Sequence, residues 1–115
     1  MATDAEFMAF LADQMEEAGE ITYRKMFGEY ALYCDAKVVA LVCGNQLFVK
    51  PTPAGRAFIG EPVEAPPYPG AKDYFLIEDE FENREWIAGL IRATAGDLPP
   101  PGAKKKKPAR RKSRR

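Results

Sequence analysis

The chain has 115 residues, 46% hydrophobic and 11% aromatic, with 17 Lys and Arg balancing 17 Asp and Glu. That composition describes one globular domain, excludes a disordered chain, and holds no apolar run near the ~20 residues of a membrane span. The first ten residues carry two acids and no base, which is not a signal peptide, so the expected compartment is the cytoplasm.

Thr3-Asp4-Ala5-Glu6 reads as a capping box opening a first helix. Phe7, Met8, Leu11, Met15 and Ala18 follow at helical spacing as one apolar stripe, with Phe10 to its side, and Gly19 is the expected left-handed stop. Residues 22 to 53 then hold three apolar runs split at Gly28, at Asp35-Ala36 and at Gly44-Asn45, the pattern of consecutive antiparallel strands. Ile21 to Phe27 opens the sheet and Gly28 bends it as a bulge or tight turn. Tyr30–Cys34, Val38–Cys43 and Gln46–Lys50 are the next strands. Alanine is a poor residue for a primed two-residue turn, so the loop at Asp35-Ala36 is expected to be longer.

The turn positions set a register. One face is expected to carry Tyr30, Leu32, Val39, Leu41 and Phe48, and the other Ala31, Tyr33, Val38, Ala40, Val42, Leu47 and Val49. Neither face is polar, so Val38–Cys43 should be a central strand and both faces should be covered, the second by a helix of this chain or by a second copy. The same register puts Cys43 opposite Gly28 and the two cysteines, Cys34 and Cys43, about 20 Å apart. That is beyond the roughly 7 Å of a disulfide, so two free thiols are expected.

Thr52-Pro53 is an N-cap followed by proline at the first helical position, opening a short helix that Phe58 and Ile59 anchor and Gly60 ends. Its first turn, with Arg56 as counter-charge, could hold an anion or be a capped connector only. Residues 61 to 72 carry four prolines and cannot form a helix or an inner strand; Tyr68 stands out there between Pro67 and Pro69. Asp73–Ile77 is the last strand. The acids Glu78, Asp79, Glu80, Glu82 and Glu85 precede a helix whose dipole favours them, and no histidine, cysteine or second acidic motif turns them into a metal site. Asn83 caps that helix, Trp86, Ile87, Leu90, Ile91 and Thr94 form its stripe, and Gly96 is its expected end. No nucleophile elbow, phosphate loop or metal quartet accompanies the absence of histidine, so no enzyme, cofactor or metal is expected.

Composition changes after Leu98, which divides the chain into a domain over 1–98 and a basic tail over 99–115, expected to be disordered. Lys104, Lys105, Lys106, Lys107, Arg110, Arg111, Lys112, Arg114 and Arg115 give the tail a formal +9, while the body has eight bases and 17 acids, a formal −9. Such a run binds DNA or RNA through phosphate contacts, or serves as a solubilising tail, or folds back onto the acidic body. Without interleaved aromatics it reads no sequence.

The residues Arg24-Lys25-Met26-Phe27-Gly28-Glu29-Tyr30, Ala40-Leu41-Val42, Leu47-Phe48-Val49-Lys50, Tyr74-Phe75 and Glu85-Trp86-Ile87 resemble the N-terminal domain of the TfoX/Sxy family, bacterial regulators of competence genes. The family pattern often has glycine at the places of Glu29 and Ala31. Members with a full regulatory role carry a second domain where this chain has its basic tail. The resemblance implies an α+β fold of two layers in α-β-β-β-β-α-β-α order, an antiparallel sheet of four to five strands packed with three helices, and no catalytic residues. The expected function is a non-enzymatic regulatory or interaction module. Its sheet would meet a protein partner or a second copy through Tyr33, Val38, Val42 and Tyr68, and its tail would give non-specific nucleic-acid affinity. The alternative is a pure protein-binding or dimerisation module whose tail is solubilising or autoinhibitory.

Overall fold

A computed structural model describes residues 3–99; the tail residues Lys104–Arg115 lie outside the described residues. Three helices, α1 (Ala5–Gln14), α2 (Pro53–Ile59) and α3 (Arg84–Asp97), accompany six strands: β1 (Ile21–Met26), β2 (Glu29–Cys34), β3 (Lys37–Cys43), β4 (Gln46–Val49), β5 (Val63–Ala65) and β6 (Tyr74–Ile77). The strands make one antiparallel sheet in the order β1-β2-β3-β4-β6-β5, with β3 central as expected. The fold is the expected α+β class with one strand more than four to five. The additional strand, β5, comes from the proline-rich segment and lies at the sheet's edge, where a proline-flanked strand is tolerated.

Three two-residue turns shape the first four strands. Phe27-Gly28, Asp35-Ala36 and Gly44-Asn45 all have positive φ at both positions, the primed geometry that suits strand twist. Asp35-Ala36 is therefore no longer than two residues: Ala36 adopts φ 70° despite its side chain, and Cys34 pairs with Lys37.

The expected face assignment is corrected by one residue. Leu32 pairs with Ala40 but Tyr33 pairs with Val38, so Val39 is an extra residue, a bulge. Beyond it every partner slips by one, and Cys43 comes to lie opposite Glu29 rather than Gly28. Because side chains alternate, the slip regroups the faces. Tyr30, Leu32, Ala40, Val42, Leu47, Val49, Phe75 and Ile77 share one face, and Ala31, Leu41, Phe48 and Leu76 share the other. The first face meets Met8 and Leu11 of α1, Met15 just after it, and Ile87, Leu90 and Ile91 of α3, all fully buried, in one core. Cys34 and Cys43 are both free, as expected.

The helix ends follow local chemistry with three corrections. The Thr52 hydroxyl accepts from Gly55 N (3.0 Å) and the Asn83 side chain from Trp86 N (3.0 Å), both as the sequence implies. Thr3 does not cap α1: the N-cap is Asp4, without a side-chain bond, and the Thr3 hydroxyl turns to the sheet instead. Gly96 lies inside α3, which continues to Asp97. Gly19 closes a 3-10 turn, Glu16–Ala18, that follows α1; it is not a left-handed stop, and a β-carbon there would sit 2.9 Å from Cys34 Sγ. Phe10, off the stripe, meets Phe81 edge-on with ring centroids 6.2 Å apart.

Candidate functional site

The face away from the helices is only partly covered. Tyr33, Val38, Leu41 and Cys43 are half-buried on it, and the proline-rich loop crosses part of it with Pro67 buried and Tyr68 exposed. Between that loop and the β1–β2 turn lies an open cleft of about 420 Å³. Met26 and Phe27 form one wall, Pro67 and Tyr68 the other, and Leu41, Cys43, Glu29 and Tyr30 complete it. Its surface is almost entirely apolar, the kind of site that holds a hydrophobic side chain.

Phe27 marks the rim. It occupies a left-handed turn position (φ 54°), uncommon for a bulky residue, and its side chain is fully exposed at 104%. The ring therefore adds nothing to the buried core. Met26 and Tyr23 beside it are also large and exposed.

The rim is braced from the N-terminal segment. Thr3 N donates to Gly28 O (3.0 Å), and the Thr3 hydroxyl donates to Glu29 Oε1 (2.6 Å). Glu29 Oε1 also accepts from Gly44 N (3.0 Å), and Asp4 N donates to Asn45 Oδ1 (2.9 Å). These bonds tie the Phe27-Gly28 turn to the Gly44-Asn45 turn at one end of the sheet. The Glu29 carboxylate is thus engaged in structure. Sequence reasoning passed over this bracing because its partners are 15 to 41 residues apart.

Burial, and then the Glu29 carboxylate, push the Cys43 thiol above its usual range, so at neutral pH it is a neutral lining group rather than a thiolate nucleophile. Burial, with Tyr68 and Cys43 as lesser causes, likewise raises the Tyr74 phenol. Among the described residues no group of three or more Cys, Asp or Glu is placed to hold a metal, and no helix is long and apolar enough to cross a membrane.

The expected surface residues divide. Tyr68 is 56% exposed and lines the cleft, and Tyr33 and Val38 pair with each other on the same face, half-buried. Val42 is corrected: the Val39 bulge turns it to the helix side, where it is fully buried and presents no surface. Met26, Phe27 and Leu41 are the residues not singled out from the sequence as a surface. The anion reading of the α2 turn is answered within the chain. Ala54 N donates to Asp97 Oδ2 (2.7 Å), and Arg56 pairs with Glu64 (2.7 Å) while lying over the Phe75 ring.

The family model of the TfoX N-terminal domain matches residues 13–97. The chain is also 47% identical over 107 residues, 93% of either chain, to the uncharacterized 12.7 kDa protein in the trpE 5′ region of Spirochaeta aurantia. The matched span contains the whole sheet, both walls of the cleft and α3. The chain belongs to the TfoX N-terminal domain family.

Proposed function

We propose that the chain is a non-enzymatic regulatory interaction module of the bacterial cytoplasm. Its sheet domain holds a protein partner at the cleft beside the β1–β2 turn, and Lys104–Arg115 adds non-specific affinity for DNA or RNA. Membership of the TfoX N-terminal domain family supports a regulatory or interaction role. The observation that carries the partner site is Phe27, a strained and fully exposed aromatic at the lip of an apolar cleft. For the tail, the support is the nine Lys and Arg gathered in its last twelve residues.

Two measurements test the two halves. A photo-crosslinking residue at Phe27 in the living cell should give a discrete protein adduct that the same residue at exposed Val63 does not. Equal labelling at both positions would remove the cleft as a partner site. A low-salt gel shift with long duplex DNA should show retention by the full chain and its loss on deleting residues 103 to 115. Equal retention by both proteins would dismiss the tail and leave a pure protein-binding module.

A further inference from the structure

The two edges of the sheet differ. β5 is three residues long, lies between Pro62 and Pro66, and its Glu64 is paired with Arg56. Proline and a short run blunt an edge against further pairing. β1 is six residues long, contains no proline, and has five consecutive exposed residues, 22 to 26. Register shows which backbone groups it leaves open. Met26 and Glu29 flank a two-residue turn and so bond each other, and bonded pairs alternate from there along β1 and β2. The bond from Asp35 N to Glu20 O (2.9 Å) at the far end has the same phase. Tyr23 and Lys25 therefore direct their N–H and C=O away from β2, and no other segment among the described residues bonds them.

The side chains on this edge select among occupants. Arg24 and Lys25 are exposed and make no ion pair among the described residues. A second copy pairing antiparallel about Arg24 would set Arg24 against Arg24, a like-charge contact that disfavours the dimer. The chain's own tail, with nine positive charges, is repelled for the same reason. An acidic segment is not. The body as a whole is negative, but screening over ~8 Å at physiological salt leaves close pairs to decide. Met26 ends the strand and lines the cleft, so a residue laid opposite Met26 can place its side chain there.

Resting on the reading of the domain as a protein-binding module, we propose that β1 is a strand-addition site. Its occupant is an extended partner segment with the pattern apolar-acid-acid-apolar. The two acids face Arg24 and Lys25, one apolar residue enters the cleft beside Met26, and the other lies against Tyr23. Main-chain bonds to Tyr23 and Lys25 supply affinity and the side chains supply selection, as in other sheet-edge recognition. The pattern is palindromic, so it serves either strand direction.

The test uses the full chain and a fluorescent peptide, Thr-Val-Phe-Glu-Glu-Phe-Val-Thr. The expected result is saturable binding, weakened about fivefold or more when Lys-Lys replaces Glu-Glu. Backbone N-methylation on alternate peptide residues should abolish binding in one phase and spare it in the other. Amide exchange should slow at Tyr23 and Lys25 while Arg24, already bonded to β2, is unchanged. The double substitution R24E and K25E, on exposed positions, should reverse the preference towards the Lys-Lys peptide. Equal binding of both peptides, or binding without slowed exchange at Tyr23 and Lys25, overturns strand addition. If the Phe27 crosslink to a protein nevertheless forms, the interaction module stands without it; if neither forms, both readings fall.

Discussion

The two faces of the sheet are built from similar residues and have different fates. On one, Leu32, Val42, Leu47, Val49 and Phe75 lose all contact with solvent beneath α1 and α3. On the other, Ala31 and Phe48 are buried, but Leu41, Tyr33, Val38 and Cys43 stay half-buried beside a loop that covers only part of the face. Apolar content is therefore no guide to which face is core. What decides is how much chain is left to cover each one: two long helices serve the first face, and a proline-rich connector serves the second. The remainder is the open cleft.

The contrast is sharpest in stability. Phe75→Ala should cost about 3–5 kcal/mol in urea unfolding, because it empties a sealed site beneath Arg56. Leu41→Ala, half-buried at the cleft, should cost about 1–2 kcal/mol. Equal losses would break the comparison and make the second face a core as well.

At the opposite end of the sheet from the cleft, Ala36 holds φ 70° only because the hairpin demands it. Ala36→Gly should raise stability by about 0.5–1 kcal/mol, the left-handed strain outweighing the added freedom of the unfolded chain. Thermal melts of the two proteins measure it.

The two thiols report the faces chemically. Cys34, on the sealed side, is raised by burial and then by Asp35, and its thiol donates to Ala18 O (3.7 Å). Cys43 at the cleft is raised by burial and then by Glu29. A thiol-specific reagent at neutral pH should modify Cys43 first and Cys34 only as the chain opens, a difference of several-fold or more in rate. Both folded values lie above the unfolded thiol's ~8.5, so the folded state holds these protons more tightly. Their contribution to stability is complete below about pH 8 and is lost as pH rises through the folded values. Stability that rises above pH 9 would contradict the sign.

The smallest structural effect is expected at the rim. Phe27→Ala should change stability by no more than about 0.5 kcal/mol, since the ring packs against nothing that water does not also reach. Loss of partner binding with an unchanged melt would separate function from folding at that residue.

Much of the fold is legible in the sequence because its signals are local. Thr52-Pro53 and Asn83 satisfy their own helix ends, the glycines and Asp35 mark turns within two residues, and the stripes of α1 and α3 repeat at helical spacing. Glu29 and Ala31, where the family pattern often has glycine, could be noted but not interpreted. The carboxylate of Glu29 is explained only by Thr3 and Gly44, which folding brings to it. The same distance hid the role of Thr3, whose local capping pattern lost to bonds across the sheet.

The sequence alone determined the order of the elements apart from β5, the antiparallel sheet, the central place of β3, the separation of the two thiols and the charge imbalance between body and tail. Each follows from composition or from neighbours a few residues apart. Only the tertiary structure decided which apolar residues are core and which are surface. One extra residue, Val39, shifts a register whose side-chain period is two, and so sends Val42 inward and leaves Leu41 at the cleft. The site itself joins a turn at Phe27 to a loop at Tyr68, and contact across that separation is fixed by packing rather than by local pattern.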